Sequence, residues 1–193
     1  MKICILKGSP RVQGNTNSLL KPILEELEEK GNELQIFDLY RMKLDPCVAC
    51  RCCQKDWTIF GCPLKDQMGE IFDAILESDM IILATPIYSW FCTGPMKNTL
   101  DRLVYGLNKY YGDEKGPSLW AGKKVAMVIT CGYKAEKGAD LFEEAMIRYC
   151  KHSKLEYLGM ICERHLGYKT AFMDEEKEQR AKAFVKHTLL AQE

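Results

Sequence analysis

The loop after the first predicted strand carries the residues best suited to bind a phosphate. Residues 2–6 form a short apolar pattern typical of a buried strand, and a glycine- and hydroxyl-rich loop at 8–18 leads from it into a helical pattern. The first amides of a helix lack intrahelical acceptors and lie at the positive end of its dipole, so a phosphate is stabilised there. The side chains that add donors or charge are Ser9, Arg11, Thr16 and Ser18. A well-capped polar turn has a similar composition and stays open as the alternative.

Two phosphate-binding motifs are absent from this loop, and their absence restricts the class of ligand that it can bind. There is no GxGxxG, which lets a backbone approach a pyrophosphate, and no GxxxxGK[ST], whose lysine binds a triphosphate. The loop therefore fits one terminal phosphomonoester, which favours FMN over NAD, FAD or ATP.

A second loop, at 85–91, concentrates flat and rigid side chains after the central predicted strand. It reads Thr-Pro-Ile-Tyr-Ser-Trp-Phe. An isoalloxazine ring needs an apolar wall and backbone amides at its polar edge, and this loop can supply both. Aromatic packing of the loop onto the core is the alternative, but its expected position beside the phosphate loop favours the flavin.

A third segment, at 40–65, holds half of the chain's ten cysteines. Cys47, Cys50 and Cys53 are separated by two residues each, and Cys62 precedes a proline, a pattern found in cluster-binding sequences. Cys52 breaks the two-residue spacing and, being adjacent to Cys53, is expected to point elsewhere. Three interpretations stay open: an iron–sulfur cluster, tetrahedral zinc on the same four cysteines, or free thiols packed as small apolar side chains.

Composition excludes several classes of partner. The chain has 193 residues, with 27 basic and 27 acidic side chains, so no broad positive field would attract nucleic acid or an anionic membrane. A strand that begins at residue 2 leaves no room for a leader, and no apolar run has the length of a membrane span. We therefore expect a cytoplasmic protein whose cysteines are not structural disulfides.

Alternating strand and helix patterns must position these loops. Strands are predicted at 2–6, 33–38, 80–84, 125–130 and 155–162, and helices follow each of them, the first with Pro22 as an expected kink or late start. Asp66 and Asp174 are predicted to cap the second and last helices, and Leu141 to lie on the apolar face of the fourth. Such alternation predicts an α/β fold, a five-stranded parallel sheet wound on both faces, as one domain over 1–193 with a cysteine-rich insertion at about 40–65. Ligands of these sheets bind beyond the carboxyl ends of the strands, where the first, third and fourth loops meet.

Three ordered motifs give a specific resemblance. Gly8-Ser9-Pro10-Arg11 with Gly14-Asn15-Thr16, then Thr85-Pro86-Ile87-Tyr88, then Gly94-Pro95-Met96-Lys97-Asn98 with Asp101-Arg102 resemble the flavodoxin-like NAD(P)H-dependent FMN reductases, especially the branch that contains iron–sulfur flavoproteins. The similarity is strong over residues 1 to 105.

The resemblance implies residue roles. The phosphate would be held by Ser9, Arg11, Asn15, Thr16 and Asn17, and the flavin lined by Pro86, Ile87, Tyr88 and Trp90. By their position after the fourth strand, Thr130, Cys131 and Gly132 would meet the pyrimidine edge. In the iron–sulfur branch four cysteines hold a [4Fe–4S] cluster, here Cys47, Cys50, Cys53 and Cys62. Lys97, Asp101 and Arg102 are interpreted as helix and interface residues, and the three histidines as surface or loop residues.

The resemblance also implies an activity. The expected reaction passes electrons from NAD(P)H through FMN to a quinone, flavin or nitroaromatic, with no side-chain acid or base, in a homodimer whose FMN lies near the subunit interface. Pairing of dimers into tetramers is left open. The alternatives are an iron–sulfur flavoprotein that exchanges electrons with ferredoxin, and a non-enzymatic flavin-binding or zinc-stabilised interaction module.

Overall fold

A computed structural model describes residues 1–167 and 169–191 as a sheet of five parallel strands. The strands are β1 (Lys2–Lys7), β2 (Glu33–Asp38), β3 (Met80–Pro86), β4 (Lys124–Cys131) and β5 (Glu156–Arg164). Their order across the sheet is β2-β1-β3-β4-β5. The predicted doubly wound architecture is therefore confirmed, and the chain reverses direction across the sheet between β1 and β3, where such folds bind ligands.

Six α-helices connect and cover the strands in the described part of the chain. They are α1 (Asn15–Glu29), α2 (Met68–Glu77), α3 (Gly94–Leu107), α4 (Ala135–Gly138), α5 (Asp140–Ser153) and α6 (Glu175–Phe184). A 3-10 turn at Cys52–Gln54 and a π-helical turn at Val185–Leu189 complete the regular structure. The short α4 precedes the predicted fourth helix and was not expected from the sequence. Within residues 1–167 and 169–191, no helix combines the length and apolar character needed to cross a lipid bilayer.

Two apolar layers sandwich the sheet. Alternate residues of β1, such as Ile3 and Ile5, face α1 and α6, whereas Cys4 and Leu6 face the layer that includes α2, α3 and α5. Because successive side chains of a strand point to opposite faces, a strand covered on both faces must be apolar throughout. This explains the uninterrupted apolar run of the central strand β3.

The first helix shows how local sequence sets an element's limits. It ends where Gly31, at φ +78°, adopts a conformation that favours glycine, and the amides of Gly31 and Asn32 bond back to the carbonyls of Glu28 and Leu27. At its other end the helix begins at Asn15 and runs through the buried Pro22. The expected late start at Pro22 is therefore wrong, because burial of the helix's leucine and isoleucine face outweighs one lost backbone hydrogen bond.

Two other predictions at helix level have different outcomes. The Asp174 carboxylate accepts a hydrogen bond from the Lys177 amide at 2.8 Å, which confirms that residue as the cap of α6. Leu141, by contrast, is 60% exposed, so its predicted place on the apolar face of α5 is wrong. The buried face of that helix is instead formed by Phe142, Met146 and Cys150.

The loops after β1 and β3 are braced against each other at the carboxyl edge of the sheet. The Gly8 amide donates to the Ala84 carbonyl at 2.8 Å, and the Thr93 hydroxyl donates to the Gly8 carbonyl at 2.7 Å. A Cβ on Gly8 would lie only 3.0 Å from the Thr93 hydroxyl oxygen, so glycine allows this close approach. The phosphate loop and the aromatic loop are thereby held side by side.

Candidate functional site

An open cleft lies beyond the carboxyl ends of β1, β3 and β4. Ten of the twelve residues predicted to bind FMN line it: Ser9, Arg11, Asn15, Thr16, Pro86, Ile87, Tyr88, Thr130, Cys131 and Gly132. Trp90 lines an adjoining cavity that shares Ile87, Cys131 and Gly132 with the cleft. Residues that are more than a hundred positions apart in the sequence thus converge on one site.

The start of α1 supplies the cleft's concentrated positive potential. Gly14 caps the helix, and the amides of residues 15–17 belong to its first turn, where helix geometry provides no acceptor. The Thr16 hydroxyl lies 2.8 Å from that of Thr130, and both side chains are buried. Since one hydroxyl donates to the other, the pair retains one O–H hydrogen that can be donated to a ligand.

Asn17 is placed differently from the other predicted phosphate residues. Its side-chain amide donates to the carbonyls of Arg11 (3.0 Å) and Val12 (2.8 Å), and its Oδ1 is buried without a hydrogen-bond partner among the described residues. Ser9 also bonds within the loop, where its hydroxyl oxygen accepts from the Arg11 amide at 3.4 Å. Asn17 therefore shapes the loop through its side chain, and only its backbone amide belongs to the donors at the helix start.

A tight turn presents the aromatic loop. Tyr88 and Phe91 exchange two backbone hydrogen bonds, of 2.9 and 3.0 Å, and the central residues Ser89 and Trp90 both have positive φ. Such φ values cost about 1–3 kcal/mol per non-glycine residue and occur preferentially at binding sites. The Trp90 ring stacks on Tyr133 with centroids 6.3 Å apart, and its Nε1 donates to the Lys137 carbonyl. The turn leaves Tyr88 and Trp90 half exposed beside the cleft.

Cys131 and Cys162 form a sulfur pair in the wall of the cleft. Their Sγ atoms lie 3.6 Å apart on neighbouring strands, and Cys131 lines the cleft. The Cys162 thiol, by donating to Cys131, lowers the pKa of Cys131 to about 7, and Arg164 contributes to the same effect. The pKa of Cys162 is raised in turn. Cys162 itself is only partly buried.

His165 is a cleft residue that sequence reasoning missed. It lines the cleft, and its amide donates to the Cys131 carbonyl at 2.8 Å. It had been interpreted as a surface or loop histidine. A signal was present in the sequence, because His165 directly follows the last strand and the carboxyl ends of parallel strands meet at the ligand edge.

The cysteine segment lines a second cavity, which opens to solvent. All four predicted ligands, Cys47, Cys50, Cys53 and Cys62, line this cavity, and Cys52 does not. Ala49 and Arg51, on either side of Cys50, have φ of 54° and 59°, which turns the backbone sharply at that cysteine. Among the described residues no three histidine, cysteine, aspartate or glutamate side chains are gathered as the ligands of a single ion.

Two N–H groups of the described residues donate to these sulfurs. The Ala49 amide lies 3.4 Å from Cys47 Sγ, and Arg102 Nη2 lies 3.2 Å from Cys62 Sγ. Cys53 Sγ instead donates to the Tyr105 carbonyl at 3.3 Å. Such hydrogen bonds stabilise thiolate and tune cluster potentials. The donor set therefore fits a cluster, as the start of α1 fits a phosphate.

Arg102 is buried beside this cavity, so its interpretation as an interface residue is wrong. The side chain is 2% exposed and forms an ion pair with Asp66, whose side chain is 1% exposed. Burial alone would raise the pKa of the Asp66 carboxyl, but hydrogen bonds from Arg102 and from the amides of Asp45 and Met68 outweigh burial and lower it. The Asp66 carboxylate also accepts from the Met68 amide at the start of α2, but the residue that caps this helix is Gln67, so the predicted capping position of Asp66 is wrong by one residue.

Comparison with known sequences decides the family. The sequence model of the NADPH-dependent FMN reductase family matches residues 1–147. The chain belongs to the NADPH-dependent FMN reductase family.

Curated relatives of this FMN reductase family member are iron–sulfur flavoproteins. One from Methanocaldococcus jannaschii is 33% identical over 141 residues, which cover 73% of this chain and 66% of the relative. One from Archaeoglobus fulgidus is 33% identical over 144 residues, covering 75% and 68% respectively. Another from Methanocaldococcus jannaschii is 34% identical, and the match covers 53% of this chain and 51% of the relative. The matches thus span between half and about two thirds of these relatives.

Solved structures agree with the fold of this FMN reductase family member. An NAD(P)H:quinone oxidoreductase from Methanothermobacter marburgensis superposes with a TM-score of 0.76 at 19% identity, covering 97% of this chain and 95% of that one. An FMN-dependent NADH-azoreductase from Bacillus anthracis in complex with FMN gives 0.68 at 16% identity, covering 96% of each chain. Both confirm the flavodoxin-like architecture.

Proposed function

We propose that this member of the FMN reductase family is an NAD(P)H oxidoreductase that passes electrons through bound FMN to a small acceptor such as a quinone, a flavin or a nitroaromatic. The observation that carries the proposal is the cleft, where the start of α1 meets the loops after β3 and β4. We also propose that the whole chain is one FMN-binding domain with the cysteine-rich segment as an insertion.

The phosphate of FMN is assigned to the start of α1. Backbone amides of residues 15–17 donate to it, the Thr16–Thr130 hydroxyl pair adds one donor, and Arg11 adds charge. Asn17 holds the loop in shape by bonding the Arg11 and Val12 carbonyls.

The flavin ring is assigned to the wall formed by Pro86, Ile87 and Tyr88. Bound FMN supplies the chemistry of this site, because it accepts a hydride from a pyridine nucleotide and returns the electrons to an acceptor. The protein's contribution is to fix the ring, leave one face accessible beside the half-exposed Tyr88 and Trp90, and place polar groups of residues 130–132 near the pyrimidine edge, where negative charge develops on reduction. This division of labour requires no side-chain acid or base.

The phosphate assignment is tested by titrating apoprotein with FMN. Replacing Thr16 by alanine removes a hydroxyl hydrogen bond to a charged group, which is worth about 1.5–3 kcal/mol, so the Kd should rise roughly tenfold to a hundredfold. Thr99→Ala is the matched control, because Thr99 is a buried threonine that bonds the Pro95 carbonyl and does not line the cleft. Equal FMN affinity in wild type, Thr16→Ala and Thr130→Ala would refute the assignment.

The reductase activity is tested by rapid mixing of the FMN-loaded protein with NADH and with NADPH under anaerobic conditions. Bleaching of the oxidised flavin band, followed by reoxidation when a quinone is added, is the expected result. If neither nucleotide bleaches the band but reduced ferredoxin does, the protein is an electron carrier instead of an NAD(P)H reductase.

A second candidate function is that of an iron–sulfur flavoprotein that exchanges electrons with ferredoxin. It is supported by the single cavity that Cys47, Cys50, Cys53 and Cys62 line and by the relatives of that name. Iron, sulfide and zinc analysis of anaerobically purified protein tests it. With a cluster, Cys52→Ala should keep its iron and sulfide, while Cys50→Ala should lose both and still bind FMN.

The assembly is proposed to be a homodimer with FMN near the subunit interface. Large apolar side chains around the cleft are exposed in one chain, among them Val12, Tyr88, Trp90 and Tyr133. Clusters of this kind mark interaction surfaces. Light scattering coupled to size-exclusion chromatography should give twice the mass of one chain, and a monomer mass would contradict the proposal.

A further inference from the structure

The cysteine segment, residues 40–65, packs against α3 and against the residues that directly follow this helix. Arg102, Tyr105 and Gly106 line the cysteine cavity, and Lys109 lies in the extended segment that follows the end of α3 at Leu107. Gln54, in the 3-10 turn next to Cys53, donates its side-chain amide to the carbonyls of Tyr105 and Asn108. Side-chain contacts therefore hold the cysteine segment against α3 and against the residues just after this helix.

Lys109 is a buried cation just after α3. Its side chain is 0% exposed, and Nζ donates to the carbonyls of Cys53 (2.7 Å), Ile59 (2.7 Å) and Phe60 (3.4 Å). Three acceptors match the three hydrogens of an ammonium group, whereas a neutral amine has only two. Burial lowers the pKa of Lys109, but three acceptors favour its ammonium form, and the side chain ties Cys53 to the turn that precedes Cys62.

The buried charges around the cavity do not balance. The Arg102 guanidinium is shared between Asp66 and Cys62, whose Sγ lies 3.2 Å from Arg102 Nη2, and Lys109 makes no ion pair within the described residues. Asp56 acts on Lys109 only at longer range, and that exposed carboxylate accepts hydrogen bonds from Thr58. A buried positive charge without a counter-charge is unfavourable. In addition, Arg102 Nε is buried without a hydrogen-bond acceptor in the described part of the chain.

Neutral thiols would leave this imbalance in place. Four thiolates on a [4Fe–4S] core give a group with a net negative charge, which provides both the missing counter-charge and further acceptors for N–H groups. A one-electron reduction adds one more negative charge to that group and changes no bond or proton. Nearby cations therefore favour the reduced form and raise its reduction potential.

We propose that Arg102 and Lys109 are the counter-charges of an iron–sulfur cluster held by Cys47, Cys50, Cys53 and Cys62, and that they set how readily the cluster accepts an electron. This inference rests on the cluster proposed as the second candidate function. It assigns Arg102 and Lys109 as positioning residues that act on the centre through charge.

The test compares variants that separate charge from hydrogen-bond geometry. Arg102→Lys keeps the positive charge and loses the planar fork, whereas Arg102→Gln loses the charge and keeps an N–H donor. Lys109→Met removes the second cation. Lys123→Met is its matched control, because the Lys123 ammonium also binds two carbonyls, those of Leu76 and Ser78, away from the cysteine segment.

The readouts are iron and sulfide per chain and a dithionite titration followed by electron paramagnetic resonance, on anaerobically purified, FMN-loaded full chain. Arg102→Gln and Lys109→Met should shift the cluster's potential to more negative values, while Arg102→Lys and Lys123→Met should stay close to wild type. Loss of iron in Arg102→Gln together with its retention in Arg102→Lys also supports the proposal. If Lys109→Met does not fold, the comparison of Arg102→Gln with Arg102→Lys decides whether positive charge sets the cluster's potential.

Three results would overturn the proposal. These are wild-type protein without iron, equal shifts or equal iron loss in Arg102→Lys and Arg102→Gln, and unchanged potentials in both charge-removing variants. FMN titration and NADPH reduction of the same preparations report on the reductase function independently. A protein that binds and reduces FMN but contains no iron refutes this inference and leaves the reductase proposal intact.

Discussion

The cleft wall contains a sulfur pair whose two members differ in acidity. The Cys162 thiol donates towards Cys131, which stabilises the thiolate of Cys131 and suppresses ionisation of Cys162. When Cys131 is protonated, its own thiol donates to the Tyr133 carbonyl at 2.8 Å. Because only the thiolate is nucleophilic, Cys131 is the thiol of the cleft with the greatest reactivity near neutral pH.

Alkylation of Cys131 by iodoacetamide should rise with pH and reach half its maximum near pH 7, the pH at which half of this thiol is ionised. Cys162→Ala removes the donor that contributes most to the lowered pKa, so the midpoint should move upward. Cys162→Ser retains a donor and should move it less. Mass spectrometry of the Cys131 peptide separates this signal from other thiols, and a midpoint near 9 in wild type would contradict the interpretation.

The buried Asp66–Arg102 pair makes a separate prediction about stability. Asp66→Asn leaves the Arg102 charge without its partner, which should lower the free energy of unfolding by about 3–5 kcal/mol at pH 7. Asp101→Asn, at a partly exposed pair with Lys97, should cost only about 0.2–1 kcal/mol. Urea unfolding of both variants measures the difference.

The same pair sets a pH dependence. Since the pKa of Asp66 is lowered in the folded state, its ionised form stabilises the fold above the unfolded value of about 3.9, and this contribution is lost as pH falls through the folded value. The difference in the free energy of unfolding between wild type and Asp66→Asn should therefore become smaller below about pH 4. A difference in the free energy of unfolding that stays constant until the protein unfolds in acid would contradict this account.

At the scale of elements, one glycine decides how closely the cysteine segment approaches α3. The Phe60 ring packs over Gly106 and contacts Phe72, with ring centroids 4.5 Å apart. A Cβ at position 106 would lie 2.1 Å from the Phe60 ring, so the ring and the loop next to Cys62 would have to move.

Gly106→Ala should therefore destabilise the protein by about 1–3 kcal/mol although alanine favours helices, and it should lower the iron content if a cluster is present. Gly69→Ala in α2 is the matched control, because a Cβ there meets nothing within 4 Å. That variant should be neutral or up to about 1 kcal/mol more stable. Thermal unfolding and iron analysis measure both effects, and a stabilised Gly106→Ala would show that Phe60 is not held against the helix.

At the scale of the whole molecule, the cleft brings together loops that lie far apart in the sequence. Loops after three neighbouring strands contribute to it, so a ligand bound there links both halves of the sheet. A ligand that binds only the native state stabilises it by mass action.

FMN at about a hundredfold excess over its Kd should add about 2.7 kcal/mol and raise the Tm by roughly 5–10 °C. Riboflavin has the same ring without the phosphate, and at equal concentration it should raise the Tm much less. Differential scanning fluorimetry of apoprotein compares them. Equal shifts would show that the start of α1 does not bind the phosphate.

The sequence alone determined the sheet, most element limits and the composition of the cleft. Apolar periodicity predicted five strands, and the limits of β2 at residues 33 and 38 are those observed. The spacing of Cys47, Cys50 and Cys53 selected these three with Cys62, and not Cys52, as candidate cluster ligands, and the four line one cavity from which Cys52 is absent. These features can be predicted from the sequence because burial, capping and two-residue spacing act over a few neighbouring positions.

The tertiary structure decided which distant residues meet. Only strand register places Cys131 against Cys162, only the path of the chain after β2 buries Arg102 beside Asp66, and only the end of β5 brings His165 to the cleft. Likewise Leu141 matches an apolar pattern but lies outside the contact between α5 and the sheet. Periodicity reports that a side chain has an apolar or polar neighbourhood, whereas the identity of that neighbourhood depends on how separate elements pack, which no local pattern encodes.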